Sequence, residues 1–334
     1  LARLVPHLQA LLRTSVPASF FEPRLTIPWK LSPAQQDIGC IQKGPLTIDV
    51  AGTWSAHRTL HADWDKKIET EATLIRQAAP TLVLSDVSHL GIAAGAAAGI
   101  PTIGLCSLSW DLVLAPFVEP ADPAHAAIMK QIRDAYAKAD CFLRVAPGLA
   151  VTAFRHLRDV GPIAEPTEPQ PAALRQAIGA TASEKIILVG FGGIALQSPP
   201  FDHMEAMQGF RFLFDGPVPS RLSRISSLSS VGLPFKQILA SVDLVLTKPG
   251  YGTTVESVAL GLPVVYVRRY NFADEQSLVD YLQQHGRSAE LSLDAFSRGH
   301  WEPAIRQAFA QSPATPPPPL SGARDAASIL HTYF

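Results

Sequence analysis

Short apolar runs recur along the chain: Thr81–Ser85, Thr102–Cys106, Cys141–Val145, Ile186–Val189, Phe210–Phe214, Leu244–Thr247 and Val264–Val267. Most are continuous rather than alternating. A strand covered on one face alternates apolar and polar side chains, whereas a strand covered on both faces does not. The runs therefore predict buried strands of parallel sheets. Helical periodicity fills many of the gaps between them, at Ile92–Ala98, Ala124–Ala139, Thr254–Leu260, Asp274–Gln284 and Glu302–Ala310. This alternation predicts an α/β architecture.

One pattern occurs twice. LVLSDVSHLGIAAGAAAGIP starts at Leu82, and LVLTKPGYGTTVESVALGLP starts at Leu244, an ungapped offset of 162 positions. Each reads as a strand, a loop, a helix of small residues, then Gly-x-Pro into another strand. Gly99 and Gly261 fall where a helix end needs a left-handed residue. Pro101 and Pro263 stop the helix. An offset near half the chain predicts two Rossmann-like, doubly wound parallel-sheet domains facing a cleft. The proline-rich stretch GPIAEPTEPQP reads as the linker, which gives an N-terminal domain of 1–163 and a C-terminal domain of 164–334.

Composition narrows the function classes. With 334 residues, 47% hydrophobic and 17% charged, the chain buries a substantial core. Its 28 Lys+Arg against 29 Asp+Glu leave no basic field for nucleic acid. No apolar run is long enough to span a bilayer, and no signal peptide is visible. Three widely spaced cysteines fit a reducing cytoplasm better than a disulfide framework. No metal-ligand cluster is evident, so no metal and no resident cofactor are expected.

The repeat allows comparison of its two loops. In the second, KPGYGTT, Lys248 brings a cation and Gly250 and Gly252 permit close backbone approach. Tyr251 stands between the glycines, and Thr253 and Thr254 lie at a helix start, where N–H groups attract phosphate. A second turn, Gly190-Phe191-Gly192-Gly193, also follows a strand. Strand carboxyl ends are where open α/β sheets bind ligands, so the two turns together suggest a nucleotide diphosphate held between them. Glu256 either completes a capping box with Thr253 or holds a ribose diol. Asp274, Glu275 and Gln276 either cap a helix and face solvent or bind sugar hydroxyls. In the first loop Asp86 replaces Lys248. An anion repels phosphate but accepts a proton from a hydroxyl. His89 is another candidate base, and Ser109-Trp110-Asp111 adds Asp111 and an apolar platform, Trp110, for a sugar ring. Each has a structural alternative: a cap for Asp86, a satisfied loop histidine for His89 and core packing for Trp110.

The stretch FKQILASVDLVLTKPGYGTTVESVALGLPVVYVRR, followed by FADEQ, resembles the donor side of GT-B glycosyltransferases. It is especially similar to the family-28-like group that includes the N-acetylglucosaminyl transferase of peptidoglycan synthesis. Closer still is the resemblance to the glycosyltransferase-like N-terminal region of plant-type arabinokinases and their bacterial stand-alone relatives, over roughly Thr81 to Leu291. The resemblance implies a GT-B fold with a donor-binding C-terminal domain and an acceptor-binding N-terminal one. It implies that Gly192 and Gly193 approach the diphosphate, with Gly250, Tyr251, Gly252 and Thr253 forming the second phosphate or sugar loop. It places Phe235 beside the base, Glu256 on the ribose, and Asp274, Glu275 and Gln276 on the transferred sugar. The family opens with a strand and a Gly/His-rich loop that often carries the catalytic histidine or its neighbours. LARLVPHLQALL reads instead as the helix after that loop, so the first strand and loop are expected to be missing.

The expected function is transfer of a sugar from a nucleoside-diphosphate sugar, such as a UDP-sugar, to an acceptor hydroxyl, without a metal. Two alternatives remain open: a non-catalytic nucleotide-sugar-binding or regulatory module, and a nucleotide-sugar epimerase on the same fold. A dinucleotide oxidoreductase is disfavoured, because no GxGxxG opens a helix after a strand.

Overall fold

The computed structural model describes residues 4, 5, 7–194, 196 and 199–333. The chain divides into two units. One comprises Leu1–Ile41, Asp49–Ile163 and Leu320–Phe334, the other Gln42–Ile48 and Ala164–Pro319. The change after Ile163 falls in the proline-rich stretch, where residues 161–170 carry neither helix nor strand. Two short segments lie in the unit opposite to the one a simple two-block division gives. Residues 42–48 join the second unit, where Leu46 packs on its core. The last helix, Gly322–Leu330, joins the first unit. It is held there because the Gly161 N–H donates to Asp325 at 3.0 Å and the Gly322 N–H donates to the Pro162 carbonyl at 3.1 Å.

In the first unit, β1 (Ala10–Thr14) pairs in parallel with β2 (Trp29–Pro33), from Ala10 opposite Trp29 to Thr14 opposite Pro33. The opening segment expected as a helix is therefore turn and strand, because pairing along a whole strand outweighs weak local preference. Leu1, Ala2, Arg3 and Pro6 lie outside the described residues. A second sheet contains β3 (Val83–Ser85), β4 (Thr102–Cys106), β5 (Cys141–Val145) and β6 (Leu157–Val160), in that order and all parallel. Helices Val50–His61, Trp64–Ala78, His89–Ala98 and Pro123–Tyr136 belong to the same unit. Tyr136 is fully buried and its hydroxyl donates to the Val87 carbonyl at 2.9 Å, which fixes the loop after β3.

The second unit is one six-stranded parallel sheet. It contains β7 (Lys185–Val189), β8 (Phe210–Phe214), β9 (Ile225–Ser227), β10 (Leu244–Thr247), β11 (Val264–Tyr266) and β12 (Ser288–Glu290). The spatial order is β12-β11-β10-β7-β8-β9. The chain winds outward from β7 to β9, returns to β10 and winds outward the other way. The reversal lies between β7 and β10. Both strands are buried along nearly their whole length, as their unbroken apolar runs require. Phe212 and Trp301 lie in the core on one side, Leu174 and Ile238 in the core on the other.

The sequence repeat is structural. Helices His89–Ala98 and Tyr251–Ala259 begin 162 positions apart, as Leu82 and Leu244 do. Gly99 (φ +73°) and Gly261 (φ +66°) end them in left-handed backbone. The first copy depends on small side chains. A Cβ at Gly95 meets the side chains of Thr102 and Val83. Gly95→Val should therefore overpack the β3–β4 face and cost about 1–3 kcal/mol. A lowered urea midpoint with unchanged slope is the expected reading, and an unchanged midpoint counts against this packing.

Candidate functional site

In the second unit, the two glycine-rich turns stand at the carboxyl ends of β7 and β10, the strands that flank the reversal. Ligands of open α/β sheets bind at such a point. After β7, Phe191 is buried edge-on against Phe296 (ring centroids 5.6 Å apart) and anchors the turn. Gly192 (φ +71°) and Gly193 (φ +74°) follow in left-handed backbone that only glycine adopts without strain. After β10 come Lys248, Pro249 and Gly250, the N-cap of helix Tyr251–Ala259. Gly250 itself is extended (φ −148°), so its use is lack of bulk rather than backbone freedom. No side chain caps this helix. At the equivalent start in the first unit, Ser88 Oγ accepts the Gly91 N–H at 3.1 Å.

The turns are neighbours. A Cβ built on Gly192 lies 3.6 Å from Lys248 Nζ, so the ammonium reaches back across the reversal. Burial, then the Arg269 charge, lowers the Lys248 pKa, while Glu275 and Asp274 oppose that shift. Asp274 is buried, and its Oδ1 has no hydrogen-bond partner among the described residues. Burial raises its carboxyl to about 6, partly offset by Arg269 and Lys248. It occupies the N-cap position of helix Glu275–His285 without capping it. An unpaired buried carboxylate oxygen beside a lysine is a polar group in want of a donor.

Neighbouring candidates separate into two kinds. Glu275 is fully buried and paired with Arg269 at 2.5 Å, and it also accepts the Arg269 N–H at 2.9 Å. It holds the loop after β11 in shape, with both carboxylate oxygens bonded to Arg269. Gln276 is exposed and bonded to Arg268 and Asp280. Thr253 is the third residue of its helix, not its cap, so the capping box is not formed. Glu256 instead lies 3.4 Å from Lys236 Nζ. Lys236 follows Phe235, whose ring is exposed at the start of helix Phe235–Ser241, so Glu256 and Phe235 share one neighbourhood. Gly252 is exposed and has open space where a Cβ would stand.

In the first unit, Asp86 opens onto a cavity of about 900 Å³. Protein crowds the carboxylate on its other sides, and that desolvation raises its pKa, opposed by a hydrogen bond from the Cys106 thiol. Burial and Asp86 in turn push the thiol up to about 12. A second carboxylate, Asp37, lines the same cavity. Burial and the charge of Asp86 bring it to about 6, against the lowering effect of the Trp110 indole, which donates to Asp37 at 2.7 Å. The Trp110 ring abuts Gly39 (φ +65°), where a Cβ would stand 2.9 Å from it, and its indole N–H is taken by Asp37. Sequence reasoning missed Asp37. It is 73 positions from Trp110, and no local signal joins them.

His89 and Asp111 are not placed to act as bases. Asp111 is buried, accepts from Ser109 Oγ at 2.6 Å and lies 3.6 Å from Arg133. His89 is fully buried in a stack with His61 (centroids 5.0 Å apart) and His57 (6.4 Å). Its Nε2 is 3.1 Å from His61 Nε2. Burial keeps all three rings neutral, with His61 lowered to about 4. Among the described residues, no group of three or more His, Cys, Asp or Glu is arranged to hold a metal ion. Nor is any helix among them long and apolar enough to cross a membrane.

The pH dependence follows from these shifts. A histidine depressed in the fold stabilises it fully above the unfolded pKa of about 6.5, and that contribution is lost as pH falls. For His61, on the order of 3 kcal/mol should disappear between pH 6.5 and about 4. Asp37 and Asp274, raised to about 6, act with the opposite sign and lose stability as pH rises to that value. His61→Asn should therefore flatten the acid limb of a stability–pH curve measured by urea unfolding. An equally steep limb in the variant would refute the assignment.

No protein-family model matches the chain. A curated relative, L-arabinokinase from Arabidopsis thaliana, is 25% identical over 284 residues, covering 83% of this chain and 27% of its own length. The chain thus spans about a quarter of the curated relative it matches. Among solved structures, the calicheamicin glycosyltransferase CalG4 matches with a TM-score of 0.61 at 14% identity, covering 97% of both chains. Phytolacca americana UGT2, complexed with UDP-2fluoro-glucose and pterostilbene, matches with 0.57 at 15% identity, covering 97% of this chain and 86% of that one. These likenesses run through both units, and with the two parallel-sheet units described above they identify the architecture: the chain has the GT-B fold of the glycosyltransferases.

Proposed function

We propose that the second unit binds a nucleoside-diphosphate sugar, a UDP-sugar in the first instance, and that the protein transfers the sugar to an acceptor hydroxyl. One observation carries this reading: Lys248 Nζ lies against Gly192 where two glycine turns meet at the winding reversal. The N–H groups of Gly192 and Gly193, the uncapped helix start at Gly250, Tyr251, Gly252 and Thr253, and the Lys248 ammonium would hold the diphosphate. Glu256 would take the ribose and Phe235 the base. Asp274, with its unpaired oxygen, would accept a sugar hydroxyl, and Gln276 lies on the same loop. UGT2 was solved in complex with UDP-2fluoro-glucose, which supports the choice of nucleotide.

In the reaction the acceptor oxygen bonds to the anomeric carbon as the bond to the diphosphate oxygen breaks. The diphosphate leaves with the electron pair, and the acceptor proton passes to a base. Donors fixed before the reaction stabilise that leaving charge without reorganising. Asp86 is assigned as the base, because it is open to a cavity and its proton affinity is raised. A second reading, a donor-binding module without transfer, is favoured by the burial of His89 and Asp111, which leaves one of the three sequence candidates open.

Gly252→Trp should weaken UDP binding at least tenfold by calorimetry while the unliganded melting temperature stays unchanged, because nothing lies within 4 Å of the new Cβ. Unchanged affinity would remove this loop from the site. Asp86→Asn should lower turnover by about 10²–10⁴ and spare the donor Kd. Full turnover would exclude Asp86 as the base. Tight UDP-sugar binding with neither transfer nor hydrolysis in the wild type would select the second reading.

A further inference from the structure

Residues 34–41 carry neither helix nor strand. An irregular segment has no ladder of its own, so its shape rests on the bonds other elements give it. Four side chains remote in sequence supply them. Ser88 Oγ donates to the Gln36 carbonyl at 2.7 Å, and the Trp110 indole donates to Asp37 Oδ2 at 2.7 Å. His57 Nε2 donates to the Gly39 carbonyl at 2.9 Å, and Thr53 Oγ1 accepts the Ile41 N–H at 2.9 Å. Thr53 and His57 are one turn apart on helix Val50–His61, so that helix alone grips the segment twice. The residue held at the centre of these bonds is Asp37.

The loop after β3 is fastened to the same network. Val87, directly after Asp86, has φ +54°. Left-handed backbone is costly for a β-branched residue, and it persists where the surroundings over-determine it, most often at functional sites. Here the surroundings include the Tyr136 hydroxyl, which donates to the Val87 carbonyl at 2.9 Å and accepts the Trp110 N–H at 3.2 Å. One buried hydroxyl thus ties the residue after Asp86 to the residue that holds Asp37. Ser88 makes a second tie, from the other end of the loop to Gln36. Both carboxylates line the cavity of about 900 Å³. The titratable groups around them bring no counter-charge. Burial holds the Cys106 thiol and the Tyr136 phenol in their neutral forms. Arg13, the one cation among the described residues lining the cavity, is paired with Glu71 through both carboxylate oxygens. Asp37 and Asp86 therefore face each other's charge without a cation to divide them, and the charge of Asp86 strengthens the hold of Asp37 on a proton.

We propose that Asp37 and Asp86 receive the acceptor proton as one carboxylate pair, in which Asp37 is a positioning residue that acts through Asp86 and is itself set by Trp110. The pairing stands on the first unit alone; its use as a base rests on the sugar-transfer reading. As the acceptor oxygen bonds to the anomeric carbon, its O–H bond breaks and the proton passes to Asp86. The charge of the pair falls from two negative to one, and the proton leaves to water after the product. Two anions side by side bind a first proton more tightly than either does alone. The pair is thus a stronger base than a lone Asp86 at the same place.

Carboxyl-carbon NMR of protein labelled at aspartate tests the pairing without any assay of activity. Asp37→Asn and Asp86→Asn each identify one resonance by its loss. Each should also lower the titration midpoint of the remaining carboxyl, by about one pH unit. Unmoved midpoints in both variants overturn the pair. Trp110→Phe removes the indole donor and should raise the Asp37 midpoint. No change there overturns the role of Trp110. The pH profile of kcat/KM then tests the use of the pair. In the wild type the rate should fall as pH drops through about 6, where the pair gains its proton. In Asp37→Asn the amide oxygen still accepts from Trp110, so the segment keeps its shape. The acid limb should nevertheless move to lower pH, and kcat should fall about 3–10-fold with donor Kd unchanged, as a weaker base requires. A merely structural Asp37 leaves the limb in place, and that result overturns the proposal. Coupled midpoints in a protein that transfers no sugar overturn the base assignment together with the sugar-transfer reading. Uncoupled midpoints beside normal transfer overturn the pair and spare that reading.

Discussion

The reversal between β7 and β10 governs the chemistry of the second unit. Parallel strands that wind outward in both directions leave their first turns diverging at the point of reversal. The sheet needs apolar strands there, and β7 and β10 supply them. The turns that follow must be narrow, which the glycines provide. The side chain that reaches into the gap is then bound to be influential, and it is Lys248. Its surroundings are layered. The Arg269–Glu275 pair is buried and fixes the loop after β11, while Asp274 keeps an oxygen unpaired. Breaking a buried ion pair leaves an uncompensated charge, so this loop has little freedom to drift.

Much of the fold was legible in the sequence because both its signals are local. Continuous apolar runs gave the inner strands, and the 162-residue repeat located two helices whose starts, His89 and Tyr251, lie three residues ahead of the expected Ile92 and Thr254. Strands with weaker patterns were missed. β1, β2, β6, β9 and β12 are short or partly polar, and long-range pairing rather than composition makes them strands. Helices Val50–His61 and Trp64–Ala78 were also missed, since histidine, tryptophan and charge interrupt their apolar faces.

The site was legible by position and less so by role. The sequence places Gly192, Lys248 and Gly250 at strand ends, and the structure brings Gly192 and Lys248 together. The difference between Asp274 and Glu275 cannot be read from adjacent acids; it depends on which one Arg269 faces. Likewise, His89 looks like a loop histidine until His57 and His61, from a helix some thirty residues earlier, enclose it. Asp37 became visible only through Trp110. In each case the deciding partner is remote in sequence.

Ser88 and Gly250 occupy the same place in the two copies of the repeat. The hydroxyl of Ser88 answers its own helix, whereas the missing side chain of Gly250 leaves the helix to be answered from outside. The residue at this single position is therefore enough to set the two helix starts apart. One helix start is capped by its own side chain, and its twin keeps its first N–H groups without a side-chain cap.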